Sequence, residues 1–133
     1  MHGNKAAQGL RNLGSALERL REALGEPEHS TLAIDGTIQR FEFVIELFWK
    51  TLKRCLEQEG IETRTPKETL QRAHQAAWLG DETAWLQMLR DRNETSHIYD
   101  EAAARRIYGH IREYFPEMEK TFAFLSDRFP VEW

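Results

Sequence analysis

IQRFEFVIELFWKTLKRCLEQEG, Ile38 to Gly60, is the stretch whose periodicity decides the fold. Ile38, Phe41, Ile45, Phe48, Leu52 and Cys55 recur at steps of three and four, the period of a helix and not of a strand. Phe43, Val44, Leu47, Trp49 and Leu56 widen that stripe to more than half the circumference. A helix apolar on so many sides is buried by several neighbours, so this is the central helix of a bundle. It is expected to begin between Thr31 and Asp35 and to stop at Gly60.

Toward the N-terminus, Leu10, Leu13, Leu17, Leu20 and Leu24 trace one narrow apolar stripe, ended by Gly25 and Pro27. Beyond Gly60, Thr65-Pro66-Lys67-Glu68 reads as a helix start, with a hydroxyl cap, proline in the first turn and a glutamate placed to close a capping box. That helix is expected to run from Pro66 to Leu79 with Leu70, Ala73, Ala77 and Trp78 on its face, broken by Gly80. Asp81 caps a fourth helix bearing Trp85, Met88 and Leu89. Asp100 caps the last, whose face is Ala104, Ile107, Ile111, Tyr114, Met118, Phe122, Leu125 and Phe129, with Pro116 placed to kink or split it. No segment alternates with the two-residue period of a strand. The pattern predicts an all-α, antiparallel up-down bundle of four to five helices, one domain over 1–133.

Composition narrows the function. At 133 residues the chain is long enough for one core and not for two. A net charge of −4 argues against a protein that coats nucleic acid generally, while leaving room for a local basic cleft. One cysteine, Cys55, excludes an internal disulfide and a thiolate zinc cluster within one chain; it suits a reducing cytoplasm and reads as a small buried apolar residue. No apolar run approaches the ~20 residues of a membrane span, and MHGNKAAQG is no signal peptide. His74 and His110 lack metal-ligand partners at helical spacing, and Glu42 and Glu46, one turn apart, lack the Glu-x-x-His companions of a di-iron bundle. No metal site and no cofactor are therefore expected. The glutamates read as exposed, or as facing a basic group across an interface. Gly14-Ser15 is followed by no Asp-x-Asp, so the chain is not expected to transfer nucleotides itself.

The departure from packing logic is RDRNETSHIYD, Arg90 to Asp100. From Arg90 to His97 there is no aliphatic or aromatic side chain, and Arg92-x-x-x-x-His97-x-Tyr99 sets a fixed cation, a group titrating near neutrality and a phenol in one segment. The plain reading is a solvated helix end. The sharper one is metal-independent phosphodiester chemistry: Arg92 holds the phosphate, His97 moves a proton, and Asn93, Thr95 and Ser96 add hydrogen bonds. Were the helix to continue through Tyr99, Arg92 and His97 would lie on different faces. They meet on one substrate only if the helix ends between them or a second chain supplies half the site. Asp100 as the next cap favours an ending near Ser96 to Tyr99.

The segment RNETSHIYDE, Arg92 to Glu101, together with QRFEFVIELFWKTLK, Gln39 to Lys53, and the late Tyr114-Phe115-Pro116, resembles the HepT family of the HEPN superfamily, small helical proteins encoded beside minimal nucleotidyltransferases. The resemblance runs from about Thr37 to Leu125. It implies Arg92 and His97 as a ribonuclease site and Tyr99 as the position that the nucleotidyltransferase adenylylates to neutralise a toxin. It equally implies a second description of the family, a non-catalytic subunit that binds substrate for the nucleotidyltransferase. A plain structural dimer is the third possibility. Expected partners are a second copy of the chain, the nucleotidyltransferase and an RNA such as a tRNA or mRNA, with the two Arg90–Asp100 segments near the dimer axis.

Overall fold

The structure, a computed structural model, describes residues 5–27, 30–95 and 100–130, and every regular element among them is a helix. In chain order these are α1 (Lys5–Gly25), α2 (Thr31–Gln58), α3 (Pro66–Gln75), α4 (Glu82–Glu94) and α5 (Glu101–Arg128). Four of the starts are fixed by a side chain that accepts a free backbone N–H of the first turn. Ser30 Oγ takes Ala33 N–H at 3.1 Å, Thr65 Oγ1 takes Glu68 N–H at 3.1 Å, Asp81 Oδ1 takes Ala84 N–H at 3.1 Å and Asp100 Oδ1 takes Ala103 N–H at 2.7 Å. Glu68 does not close the expected reciprocal box on Thr65; its carboxylate reaches one residue further back, to Arg64 N–H at 2.8 Å.

Contacts across the bundle give the helix directions. Gly9 of α1 faces Thr51 of α2, and Arg40 donates to the Arg19 carbonyl at 2.8 Å, so α1 and α2 are antiparallel. Arg92 meets Glu46 while Trp85 meets Phe48, which sets α4 antiparallel to α2. Arg106 meets Glu94 and Tyr114 meets Asp91, so α5 reverses again. The chain thus goes up, down, up and down through α1, α2, α4 and α5, with short α3 against α2 and α4. α2 touches each of the other helices, as a stripe of that width requires. Its Phe41, Ile45, Phe48, Leu52 and Cys55 are wholly buried. Each large apolar side chain so buried is worth about 1.5–3 kcal/mol. Trp85 of α4 packs edge-on against Phe48 at 4.7 Å, and Trp78 packs edge-on against Phe129 at 5.5 Å.

Three further expectations are corrected. α3 stops at Gln75, four residues short of Leu79, because Ala77 turns left-handed at φ 67°. Its N–H reaches the His74 carbonyl, and the Trp78 N–H reaches the Ala73 carbonyl at 2.9 Å; this closes the last turn and swings Trp78 into the core. α5 is a single helix through Pro116, so the proline does not split it. That proline and Arg112, whose carbonyl loses its partner, both face solvent, while Phe115 and Met118 are anchored in the core on either side. Phe43, expected to widen the buried stripe of α2, is 61 % exposed.

Candidate functional site

α4 is seated by Trp85 and Met88, both wholly buried, and a third step of that spacing brings Asp91 to the same face. Asp91 is only 1 % exposed, with each oxygen engaged. Oδ2 accepts the Tyr114 hydroxyl at 2.5 Å and meets His110 Nδ1 at 2.9 Å, and Oδ1 accepts Gln87 Nε2 at 3.0 Å. A buried carboxylate survives only with such partners. Burial, helped by the hydrogen bond to Asp91 and that residue's charge, pushes the Tyr114 phenol well above the usual tyrosine range. The polar run therefore does hold the bundle together at one position, which the sequence reading did not single out. The spacing 85, 88, 91 was the available signal.

Arg92, one residue on, points the other way. Its Nη2 lies 3.2 Å from Glu46 Oε1, both side chains about one third exposed, and Nε is buried without a hydrogen-bond partner among the described residues. Glu46 is shared with Lys50 Nζ at 3.3 Å. Asn93 is exposed. Thr95 closes α4, its N–H bonded to the Asp91 carbonyl and its hydroxyl placed 2.6 Å from the Arg92 carbonyl and against the Glu42 carboxylate. Glu46 thus faces basic groups and Glu42 a hydroxyl, all of their own chain, and both are half-buried where the sequence reading had them exposed or turned to a basic group across an interface. Ser96, His97 and Tyr99 lie outside the described residues. α4 ends at Glu94 with Thr95 as its cap, ahead of the Ser96 to Tyr99 ending that the sequence favoured, which itself falls on residues outside those described. On either side of residues 96–99 the chain is tied: Thr95 to α2, Asp100 to the first turn of α5, and Glu94 to Arg106 at 2.8 Å.

Arg92 forms part of the wall of a groove of about 650 Å³ between α1, α2 and α4. Arg19 comes from α1, and Gln39, Arg40, Phe43 and Glu46 from α2. Among the described residues no three His, Cys, Asp or Glu side chains stand together as a metal site. No helix among them is long and apolar enough to cross a membrane. Cys55 is wholly buried, and burial, with the charge of Glu59 adding to it, pushes its thiol up to about 12, which makes it a poor nucleophile.

Fold and site together define a helical-bundle protein that presents an arginine-bearing groove at the close of its fourth helix. Known proteins place it further. The family model described as "Nucleotidyltransferase substrate binding protein like" matches residues 8–127, and the chain belongs to that family. It is HepT-like: a Haemophilus influenzae protein named "Probable ribonuclease HepT" is 38% identical over 89 residues. That match spans 63% of this chain and 61% of the relative, less than two thirds of its length. A solved structure from Thermus thermophilus is similar at TM-score 0.80 and 35% identity, over 85% of this chain and 98% of that one. HI0074 from Haemophilus influenzae, described as revealing the fold of a substrate binding domain of a nucleotidyltransferase, is similar at TM-score 0.78 and 30% identity, over 87% of this chain and 98% of that one.

Proposed function

We propose that this chain, as one domain, is the HepT-like member of a minimal nucleotidyltransferase pair and acts as a metal-independent ribonuclease toxin that the partner silences by adenylylating Tyr99. The observation that carries the reading is Arg92: it sits in the Arg92-x-x-x-x-His97-x-Tyr99 spacing, the helix ends before His97, and the guanidinium stands on a groove wall. In the reaction a ribose 2′-hydroxyl attacks the neighbouring phosphorus, the P–O5′ bond breaks, and the 5′-oxygen leaves with a proton, giving a 2′,3′-cyclic phosphate. His97 moves a proton, Arg92 bonds the equatorial oxygens as charge gathers there, and Asn93, Thr95 and Ser96 supply further hydrogen bonds. AMP on Tyr99 brings a phosphate that competes for Arg92 and fills the space of the substrate. The working unit is a homodimer with the two Arg90–Asp100 segments near the axis, and its setting is the cytoplasm.

The test is direct. His97→Ala should lower cleavage of transfer or single-stranded RNA by ~10²–10⁴-fold and Arg92→Ala by ~10²–10³-fold, with helical content unchanged and wild-type cleavage surviving EDTA. With ATP, magnesium and the nucleotidyltransferase encoded beside it, wild type should gain AMP mass and Tyr99→Phe should not. The description of HI0074 supports a second reading, a subunit that presents substrate to the nucleotidyltransferase without chemistry of its own. Wild-type protein that leaves all these RNAs whole decides for that reading. Light scattering that gives a monomer at micromolar concentration refutes the dimer.

A further inference from the structure

We propose that the groove between α1, α2 and α4 is a subsite for one base-and-phosphate unit of single-stranded RNA, with Phe43 as the stacking platform and Arg92 and Arg19 as the phosphate clamps. The choice of RNA rests on the nuclease reading; the rest comes from the groove. Phe43 is the first observation. On a helix whose other phenylalanines, Phe41 and Phe48, are wholly buried, this ring is 61 % exposed, and it lines both the 650 Å³ groove and an adjoining hollow of about 260 Å³. An exposed aromatic ring in a groove that also carries arginines is the combination on which an unpaired base stacks, whatever its identity.

Charge is the second observation. The groove is lined by three arginines, Arg19, Arg40 and Arg92, against two glutamates, in a chain whose net charge is −4. Arg40 is spent on the Arg19 carbonyl at 2.8 Å. Arg19 makes no ion pair among the described residues and lines the same groove from α1. Arg92 is shared with Glu46 at 3.2 Å, but both side chains are about one third open to solvent. A pair so exposed is weak, and a phosphate that accepts two hydrogen bonds from one guanidinium displaces it. Size fits as well: 650 Å³ lies within the ~300–1,000 Å³ range of small-ligand sites. Gln39, exposed on the rim, offers both a donor and an acceptor to a base edge. A duplex keeps its bases stacked on each other, so the platform selects single strands.

The test uses binding, not cleavage: a fluorescein-labelled 2′-fluoro oligonucleotide lacks the attacking hydroxyl, and its affinity is read by anisotropy on the full chain. Phe43→Ala should weaken it about five- to a hundredfold, and Phe43→Trp should restore it. Arg19→Ala should lower the slope of log affinity against log salt by about 0.7. Wild type should bind the annealed duplex more weakly. In 4-thiouridine RNA irradiated at long wavelength, the crosslink should map to the α2 peptide that contains Phe43. Wild-type affinity in Phe43→Ala, or crosslinks confined to other helices, overturns the subsite. So does a Phe43→Ala chain that loses affinity only by dropping in mass on light scattering, since that assigns the ring to contact between copies. Phe43-dependent binding by a wild-type protein that cleaves nothing keeps the subsite and removes the nuclease reading.

Discussion

Asp91 and Arg92 are adjacent in sequence and face opposite surroundings, one buried among three donors, the other on the groove wall. Asp91→Ala leaves the Tyr114 hydroxyl and the His110 ring without their acceptor in the core. It should cost about 3 kcal/mol in urea unfolding. Tyr114→Phe removes one donor from a carboxylate that keeps two others, and should cost about 1–2 kcal/mol. An Asp91→Ala protein no less stable than Tyr114→Phe would show that the carboxylate does not organise that part of the core. A second residue-scale contrast lies at two helix ends closed in the same way. At α2 the left-handed position is Gly60, φ 83°, with Ile61 N–H returning to the Leu56 carbonyl at 2.9 Å; at α3 it is Ala77, φ 67°. Glycine carries no Cβ penalty there and alanine does. Ala77→Gly should therefore raise stability by about 1 kcal/mol, and Gly60→Ala should lower it by a similar amount, both read from thermal melts. The chemistry-bearing residue types were legible at this scale because spacing is local. Their partners were not, since Glu42 and Glu46 come from a helix remote in sequence, and nothing in a one-letter pattern says which neighbour an exposed arginine will find.

At the scale of the element, the same substitution should act with opposite sign on two helices. A Cβ on Gly9 of α1 would stand 2.9 Å from Thr51 Oγ1 of α2, closer than real side chains approach, while one on Gly109 of α5 meets nothing within 4 Å. Gly109→Ala should gain about 1 kcal/mol from helix propensity alone. Gly9→Ala should lose at least as much as it gains, because α1 must lift from α2 or Thr51 must leave its rotamer. Denaturant midpoints of the two variants check the pair, and a stabilised Gly9→Ala would mean that the helices are not in close register there. The helices themselves were readable from period and punctuation: Thr65, Asp81 and Asp100 cap as expected, and α2 is the central helix. What misled was punctuation whose effect depends on surroundings. Pro116 does not split α5, since Arg112, the residue whose carbonyl it orphans, is exposed, and Gly80 was read as the stop when the tertiary demand to bury Trp78 had already ended α3 at an alanine. Phe43 followed the apolar pattern of α2, but among the described residues the neighbouring helices leave it 61 % exposed, and periodicity alone does not count neighbours.

For the whole molecule, the alkaline limit of stability follows from groups the core keeps protonated. The Cys55 thiol ionises near 9.0 when unhindered and near 12 in the fold, where burial and the Glu59 carboxylate oppose its charge. Below about pH 9 folded and unfolded chains hold that proton alike, so its contribution is fully present. Between about 9 and 12 the unfolded chain releases the proton and the folded one keeps it. Stability should then fall as pH rises, by at most about 1.4 kcal/mol per unit. Tyr114 works in the same direction from about pH 10 upward, because its phenol is held neutral by burial and by donating to Asp91. Urea unfolding measured at intervals from pH 7 to 11 should give a plateau and then a decline beginning near 9. Cys55→Ala lowers the plateau by opening a cavity, yet it should move the start of the decline upward toward pH 10. Tyr114→Phe should leave the start where it is and flatten the upper part. The thiol should also resist a disulfide reagent at pH 8 in buffer and react fully in urea, since it is wholly buried. A wild-type plateau that extends past pH 11, or a decline identical in Cys55→Ala, would show that the unfolded chain does not release the proton the fold retains.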